Sequence, residues 1–335
     1  MSAPRTDAGA STDLVILQAL RGQSTGYVSG AELAERLGLT RSAIWARMQE
    51  LRQRGYDIEA SPQHGYRLVS SPDALVGDDL LARLGRGTII GRQIQVFRET
   101  RSTNDVVERL ARDGVGEGVV VFAESQTQGR GRLGRSWVSP AGKGLWFSVL
   151  LRPRLLPGET TRIVILAAVA MVRALRAFRV PAIEIKWPND ILCRGRKLVG
   201  VLTEMQAELD LVRHVILGIG VNANLEAGDF PAAVRPNATS LRIEGGQPVD
   251  RAALAVTILR ELDQAYRRLS AGDFESLAAE WAASCGTLGK EVCIRVGDRL
   301  IRGRAEALDD TGALLVRTEH GRLEAVVGGE VTLVH

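Results

Sequence analysis

Residues 129–137 read Gly129-Arg130-Gly131-Arg132-Leu133-Gly134-Arg135-Ser136-Trp137, a run whose first seven positions hold three glycines and three arginines. Short apolar runs flank it, Val119 to Ala123 before and Leu145 to Leu151 after, and such runs are typical of buried strands. Glycine lets backbone N–H groups approach a ligand closely. Arginine offers a planar charged fork that suits carboxylate or phosphate. The pattern therefore predicts an anion-binding loop between two strands, which we call the basic loop.

The basic loop also has the G-x-G-x-x-G spacing of dinucleotide-binding turns. That fingerprint needs a helix that begins within the glycines, so that the helix N-terminus meets a pyrophosphate. Here Pro140, Gly142 and Gly144 follow, and then a strand, which disfavours a Rossmann site. The plain alternative is a solvated basic hairpin, since charged runs usually face solvent.

Length and composition limit the class of protein. The chain has 335 residues, 45% of them hydrophobic, and a net charge of +4, which suffices for two or three globular domains. The longest apolar run, residues 163–172, is too short to span a bilayer, and residues 1–10 lack the apolar core of a signal peptide. Cys193, Cys285 and Cys293 are odd in number and have no metal-binding spacing. We therefore expect a cytoplasmic protein with no membrane partner.

Residues 1–70 have the pattern of a winged helix-turn-helix domain. Ser29 begins a capping box, Gly38 is a helix stop, and Tyr56 to Leu68 is expected to form the wing hairpin. The polar side of the third helix carries residue types that contact phosphates and base edges. The candidate DNA contacts are Thr40, Arg41, Ser42, Trp45, Arg47, Gln49 and Arg52.

This N-terminal segment is not broadly basic. Residues 1–70 contain eight arginines and seven acidic residues. DNA binding would therefore depend on one helix face rather than on a general positive field. The alternative is a winged helix that serves protein contacts or has lost DNA activity.

Polar residues are predicted at the ends of strands and helices in the middle part, residues 71–275. Ser102-Thr103-Asn104 precede the apolar positions of a helix, and one of the three is expected to cap it while the others face a polar ligand. Lys186 ends a strand and opens the turn Lys186-Trp187-Pro188-Asn189-Asp190. The plain reading of Lys186 is a surface lysine paired with Glu184. In residues 276–335, regularly spaced turns predict a small β module.

Five motifs occur in a fixed order along the chain. They are Ser-Thr-Asn (102–104), Gln-x-x-Gly-Arg-Gly-Arg-x-Gly-Arg-x-Trp (126–137), Lys-Trp-Pro-Asn-Asp (186–190), Lys-x-x-Gly-x-Leu-x-Glu (197–204) and Gly-x-Gly-x-Asn (218–222). Together they resemble the biotin–protein ligases. With the winged helix in front, nearly the whole chain resembles the bifunctional form, which is ligase and biotin operon repressor in one. The resemblance implies an α+β fold with an N-terminal winged helix-turn-helix, a central mixed-sheet α/β ligase domain like that of class II synthetases, and a C-terminal SH3-like β-barrel.

The resemblance also implies a two-step reaction. The biotin carboxylate attacks the α-phosphate of ATP, giving biotinyl-5′-AMP and pyrophosphate, with Mg²⁺ as the activating ion. A lysine of a biotin carboxyl carrier protein then attacks the mixed anhydride and releases AMP. The two reactants of the first step are anions, so cationic groups must offset their repulsion. Arg130, Arg132 and Lys186 are the expected catalytic residues, and positioning replaces a covalent nucleophile.

The family's pattern implies a set of binding residues. Biotin would be bound by Ser102, Thr103, Asn104, Gln126, Arg130, Gly131, Arg132 and Lys186. The nucleotide would be bound by Arg132, Arg135, Trp137, Asn189 and Asn222, with Asp190 as a metal ligand. The adenylate-bound form is expected to be a homodimer on operator DNA.

One departure from the family's pattern concerns the long loop, residues 225–241, where an aromatic residue would be expected to cover adenine. None occurs between Pro231 and Gly246, and Phe230 is the nearest. Two other functions stay open on the sequence. One is a transcription regulator that senses a small anion without turnover, and the other is an acyltransferase of the lipoyl type.

Overall fold

A computed structural model describes residues 11–23, 26–208 and 210–333. The expected absence of a signal peptide in residues 1–10 lies outside these ranges. The chain divides into two compact units, one up to Gly87 and one from Thr88 onward, and the domain boundaries after residues 70 and 275 stay predictions. Within the described ranges, no helix combines the length and the apolar character that a membrane crossing requires.

The N-terminal unit is a three-helix core with a hairpin, as predicted for a winged helix-turn-helix. Ser29 caps the second helix through a bond from the Ala31 N–H, and Gly38 ends it with a left-handed φ of 64°. Ile16, Ile44 and Met48 are fully buried where the helices meet. The elements are α1 (Thr12–Gly22), α2 (Gly30–Leu37), α3 (Arg41–Gln53), β1 (Asp57–Ser61), β2 (Gly65–Ser70) and α4 (Gly77–Leu84).

The second unit is organised around a seven-stranded mixed sheet. Its elements are β3 (Gln93–Thr100), α5 (Thr103–Arg112), β4 (Val119–Gln126), β5 (Leu145–Leu151), α6 (Thr161–Ala177), β6 (Ile183–Lys186), β7 (Asp190–Cys193), β8 (Arg196–Glu208), β9 (Leu211–Val221), α7 (Leu241–Gly245), α8 (Arg251–Ser270) and α9 (Phe274–Ser284). The strand order is β3-β4-β5-β9-β8-β7-β6. Only β3 and β4 run parallel, and the other neighbours are antiparallel. The predicted mixed sheet is confirmed.

Burial explains why this sheet forms where it does. Every residue of β5 is buried, because β5 lies inside the sheet between β4 and β9. The helix α5 packs on β4, β5 and β9, while α6 packs on α8, α9 and the strands β6 to β8. A continuous apolar run is what a strand covered on both faces requires.

The C-terminal part of this unit is a five-stranded antiparallel sheet with the order β13-β12-β11-β10-β14. Its strands are β10 (Glu291–Val296), β11 (Arg299–Leu308), β12 (Leu314–Thr318), β13 (Leu323–Val326) and β14 (Glu330–Leu333). The first four match the strands that the spacing of turns predicts, at residues 291–296, 301–307, 314–318 and 324–327. The sequence interpretation missed β14, which is only four residues long, and α9, inside which the predicted boundary after residue 275 falls.

Candidate active site

A cavity of about 700 Å³ opens in the second unit beside the central sheet. All thirteen residues predicted for biotin, nucleotide and metal line it, namely Ser102, Thr103, Asn104, Gln126, Arg130, Gly131, Arg132, Arg135, Trp137, Lys186, Asn189, Asp190 and Asn222. They come from separate strands and loops. The fold therefore brings together side chains that lie up to 120 residues apart in the sequence.

The basic loop is a tight hairpin. The Gly131 N–H donates to the Arg135 carbonyl at 2.7 Å, and the Trp137 N–H donates to the Gly129 carbonyl at 2.8 Å. At its tip, Leu133 and Gly134 both have left-handed φ angles, 55° and 73°, which is the pattern of a type I′ turn. No α-helix begins in the loop, so the rejection of a dinucleotide fingerprint is confirmed.

The Ser-Thr-Asn turn is held by a serine from the buried strand β5. Ser102 occupies the N-cap position of α5, but its side chain makes no capping bond, so the expected cap is wrong. The Ser148 hydroxyl lies 2.7 Å from Thr103 Oγ1 and donates to Asn104 Oδ1 at 2.5 Å. Gly218 lies under Asn104, and a Cβ there would lie 2.5 Å from Asn104 Oδ1. Ser148 was missed, although it is the one polar residue in the apolar run of β5.

Gln126 ties this turn to the strand that precedes the basic loop. Its Oε1 accepts from the Thr103 N–H at 2.9 Å and from the Thr103 hydroxyl at 3.2 Å, and its Nε2 donates to Ser139 Oγ at 2.9 Å. Both ends of the amide are thus used within the protein. Gln126 orients the Ser-Thr-Asn turn, whatever else it contacts.

Arg130 differs from the other two predicted cations because carboxylates already surround it. Its guanidinium lies 2.7 Å from Asp105 and 3.3 Å from Glu204, and Glu204 also accepts from Asn104 Nδ2 at 3.0 Å. Burial alone would lower the pKa of Arg130, but the hydrogen bond to Asp105 and the charge of Glu204 outweigh it and raise that pKa. The charge of Arg130 is compensated before any anion arrives. Its place among the catalytic residues stays a prediction.

Arg132 has no carboxylate within ion-pair distance among the described residues. Its guanidinium contacts Asn189 Oδ1 at 3.1 Å and the Gly329 carbonyl at 3.4 Å, and these are neutral acceptors. Burial lowers the pKa of Arg132, against an opposing effect of the Asp190 charge. Among the residues that the structure describes, Arg132 forms no ion pair. A half-buried cation of this kind attracts an anion, because the anion replaces solvent that the guanidinium has lost.

Lys186 is the second cation of the cavity that has no ion-pair partner among the described residues. It is the last residue of β6 and is partly buried. Lys186 and Glu184 form no ion pair in the described part of the chain, so the plain alternative of a surface pair is wrong. The turn that follows Lys186 positions Asn189, whose Nδ2 donates to the Val201 carbonyl at 2.6 Å and whose Oδ1 accepts from Arg132.

The Trp137 ring lies against a floor of two glycines, Gly200 of β8 and Gly220 of β9, which are paired across the sheet. A Cβ at either glycine would lie within 2.6 Å of the ring. Lys197 Nζ lies 5.3 Å from the ring centroid, and Trp146 packs edge-on at 6.2 Å. The indole is therefore fixed in place by backbone and by neighbouring side chains.

Asn222 fastens the long loop rather than pointing a free amide at the cavity. Its Nδ2 donates to the Thr239 carbonyl at 3.0 Å and more weakly to the Lys197 carbonyl at 3.4 Å. Phe230 lines the cavity but is only 5% exposed, since it packs with Trp146 and Leu225. The long loop thus supplies no exposed aromatic face.

Two acidic residues of the site are already paired with cations. Asp190 Oδ1 lies 2.7 Å from Lys197 Nζ, and Glu330 of β14 forms an ion pair with Arg135. In the described ranges, no group of three or more His, Cys, Asp or Glu residues is arranged to hold a metal ion. The role of Asp190 as a metal ligand stays a prediction.

The predicted DNA face of α3 separates into two classes of residue. Arg41, Ser42 and Trp45 are exposed, and Trp45 has 57% of its surface accessible. Arg52 instead donates to the Ile58 carbonyl at 3.0 Å through Nε and at 2.5 Å through an Nη, so it joins α3 to the wing. The other three predicted residues also have contacts within the protein or are partly buried. Thr40 caps α3, because its hydroxyl accepts from the Ala43 N–H. Arg47 forms an ion pair with Glu50 at 2.7 Å, and Gln49 is half-buried.

Comparison with known proteins agrees with the geometry of both units. Residues 96–222 match the biotin/lipoate A/B protein ligase family, residues 13–67 match a helix-turn-helix domain, and residues 287–334 match the biotin protein ligase C-terminal domain. The bifunctional ligase/repressor BirA of Bacillus subtilis is 38% identical over 296 residues, which are 88% of this chain and 90% of the relative. The chain belongs to the biotin–protein ligases.

Two further relatives place this ligase within the family. BirA of Escherichia coli is 30% identical over 310 residues, covering 92% of this chain and 93% of the relative. The structure of the Aquifex aeolicus biotin protein ligase with biotin and ATP superposes with a TM-score of 0.62 at 29% identity, covering 72% of this chain and 99% of that chain. The resemblance to the bifunctional ligase and repressor, found from the motifs, is confirmed.

Proposed function

We propose that this ligase uses ATP to convert biotin to biotinyl-5′-AMP, transfers the biotinyl group to a lysine of a biotin carboxyl carrier protein, and also acts as a biotin-responsive repressor. The observation that carries the enzymatic part is the position of Arg132 and Lys186. Both are cations without an ionic partner among the described residues, and both line the cavity that holds the Ser-Thr-Asn turn. A polar pocket next to two cations that lack an ion-pair partner fits a ligand with a polar ring and a carboxylate.

In the first step, the ureido ring of biotin would lie against Ser102, Thr103 and Asn104, whose side chains offer both donors and acceptors. The carboxylate would then point at Lys186 and Arg132. Positive charge there allows the carboxylate oxygen to approach the α-phosphate, and it stabilises the charge that develops as the carboxylate O–P bond forms and the bond to pyrophosphate breaks. Gly131 allows the loop backbone to approach the ligand.

The nucleotide would use the other end of the cavity. Trp137 presents an ordered aromatic surface for adenine, which the long loop does not supply. Asn189 positions Arg132, and Arg135 would exchange its ion pair with Glu330 for a phosphate oxygen. Asn222 acts indirectly, because it holds the long loop through the Thr239 carbonyl.

Mg²⁺ usually keeps several waters and binds one or two carboxylates together with substrate phosphates. Asp190, the one predicted metal ligand, fits such an ion brought in by ATP once Lys197 turns away from it. The ion would neutralise phosphate charge. The described residues offer no complete protein cage for it.

A direct test measures both half-reactions on the purified chain. We expect pyrophosphate release with biotin and ATP, and labelled biotin on one lysine of an added biotin carboxyl carrier domain. A protein that binds biotin without releasing pyrophosphate would be a sensor only. Preference for lipoate over biotin would identify a lipoyl-type acyltransferase and would contradict the proposal.

Ser148→Ala is expected to weaken biotin binding about tenfold while leaving the affinity for ATP nearly unchanged. The hydroxyl bonds both Thr103 and Asn104, and removing it leaves two buried polar groups with one contact fewer, at about 1–3 kcal/mol. Isothermal calorimetry with biotin and, separately, with ATP measures this. Ser125→Ala, at a half-buried serine outside the cavity, is the control. An unchanged biotin affinity in Ser148→Ala would show that the turn needs no support from β5.

The N-terminal unit is proposed to bind operator DNA, in a homodimer that forms when the adenylate is bound. Support comes from the helix-turn-helix match and from the exposed face of α3.

Arg41→Ala is expected to weaken DNA binding about tenfold or more, with no change in melting temperature, because Arg41 is exposed and free to contact phosphate. Arg52→Ala is expected to lower the stability of the N-terminal unit, because Arg52 bonds the wing. Fluorescence anisotropy measures DNA binding and thermal melting measures the stability of each variant. If both variants lowered the stability equally, the assignment of Arg41 to DNA contact and of Arg52 to the wing would be contradicted.

A cytoplasmic location is part of the same proposal. It is supported by the absence of a membrane-crossing helix in the described ranges and by Cys193, Cys285 and Cys293, which are all free thiols. Free thiols fit a reducing compartment.

A further inference from the structure

The tip of the basic loop carries a leucine in a conformation that leucine disfavours. Leu133 has φ 55° and ψ 36° and occupies the first central position of a type I′ turn. Asparagine and glycine adopt this conformation at low cost. A side chain with a Cβ costs free energy in this left-handed region. The turn is nevertheless closed normally, because the Arg135 N–H donates to the Arg132 carbonyl at 3.2 Å.

Packing of the leucine side chain inside the protein does not offset this backbone strain. Leu133 has 68% of its surface exposed, more than any other large hydrophobic residue in the described part of the chain. An isolated exposed leucine is ordinary on a protein surface. An exposed leucine that also strains its backbone, on the loop that carries Arg132, indicates a binding role.

The reaction itself identifies what must contact this position. Leu133 lines the mouth of the cavity, and so does Val234 of the long loop, which is 46% exposed. In the second step a lysine attached to a protein reaches the anhydride inside the cavity. The lysine stem is only four carbons long, so the protein surface around that lysine must rest on the rim. Small substrates, by contrast, enter without covering the rim.

We propose that Leu133 is a docking residue for the acceptor protein, and that it buries its side chain in an apolar recess beside the acceptor lysine. This proposal rests on the proposed function, since it assumes transfer to a protein lysine. Leu133 takes no part in adenylate formation. Its contribution is confined to recognition of the acceptor, which makes the two half-reactions respond differently to its replacement.

Leu133→Asn tests the proposal, because asparagine suits the turn and removes the apolar contact. The variant is expected to form biotinyl-5′-AMP at the wild-type rate and to melt at or above the wild-type temperature. Its KM for a biotin carboxyl carrier domain should rise about tenfold, the size expected when one leucine is no longer buried. Leu133→Met, which keeps an apolar side chain, should stay within about threefold of wild type.

Hydroxylamine supplies the decisive comparison. It attacks the acyl carbon of the anhydride, forming a C–N bond as the bond to the phosphate oxygen breaks, and gives biotinyl hydroxamate and AMP without any docking. Leu133→Asn should react with hydroxylamine at the wild-type rate while it transfers slowly to the carrier domain. Leu156→Asn, at an exposed leucine outside the cavity, controls for loss of surface apolar area.

Each result has a distinct meaning. A wild-type KM for the carrier domain in Leu133→Asn overturns the proposal. Slower adenylate formation or slower hydroxylamine discharge also overturns it, because Leu133 would then serve the small ligands. If the wild-type chain itself releases no pyrophosphate with biotin and ATP, the proposed function fails instead, and that failure is visible without any variant.

Discussion

Replacing Lys186 by alanine is expected to lower the rate of biotinyl-5′-AMP formation by about 10²–10³, the loss that follows removal of one preorganised charge at a reacting centre. Lys186 lines the cavity at the end of β6 and has no ionic partner among the described residues. Its ammonium is therefore available to both reacting anions. Lys186→Arg should not restore the rate, because a planar fork is wider than the compact ammonium that it replaces.

The measurement is pyrophosphate release under single-turnover conditions, together with the melting temperature. Lys290→Ala is a matched control, since Lys290 is exposed and lies outside the cavity. The fold should be intact in both variants, because Lys186 makes no ion pair with any residue that the structure describes. Adenylate formation by Lys186→Ala within about threefold of wild type would remove Lys186 from the catalytic residues.

The second large effect is expected for Arg132→Ala, with about 10² lost from adenylate formation and a higher KM for ATP. The reason is the contrast between two arginines of one loop. Arg130 forms ion pairs with Asp105 and Glu204, while among the described residues Arg132 donates only to the neutral oxygens of Asn189 and Gly329. Arg132 is thus the guanidinium that can give its charge to a phosphate.

The two arginine variants should rank in the opposite order by melting temperature: Arg132→Ala, which loses the most rate, should lose the least stability. A half-buried cation without an ionic partner carries a desolvation cost, so Arg132→Ala should melt at or slightly above the wild-type temperature. Arg130→Ala leaves Asp105 and Glu204 facing each other and should lower the melting temperature. Arg98→Ala, at an exposed arginine outside the cavity, is the control. Equal kinetic losses in Arg130→Ala and Arg132→Ala would show that the two arginines do not differ in this way.

The resemblance to the family, carried by the five motifs, predicted residues that all line one cavity. The sequence did not predict which of these residues are free to contact a ligand and which hold other site residues in place. Gln126 and Asn222 have the composition of ligand-binding residues, yet their amides are bonded to Ser139, Thr103 and the Thr239 carbonyl. These hydrogen bonds join residues 13 to 23 positions apart, so they depend on how strands and loops meet in the fold, which no single motif encodes.

The dependence of contacts on the fold also explains why the residues that hold the site in place were missed. Ser148 lies in an apolar strand, and its polarity was a signal that could have been used. Glu204 and Asp105 were visible in the sequence, but their approach to Arg130 requires β8, α5 and the basic loop to converge. The DNA face shows a similar division, since the spacing that places Arg52 on the polar side of α3 does not reveal its bond to the wing.

The glycine floor beneath Trp137 has a thermodynamic consequence. Gly200 and Gly220 have no rotamers, so the wall that they form is as stiff as the paired strands themselves. The indole on it has already lost its rotational freedom during folding. A flat aromatic group that stacks on this ring would meet a surface with little entropy left to lose, and the free energy of stacking would appear in binding almost undiminished.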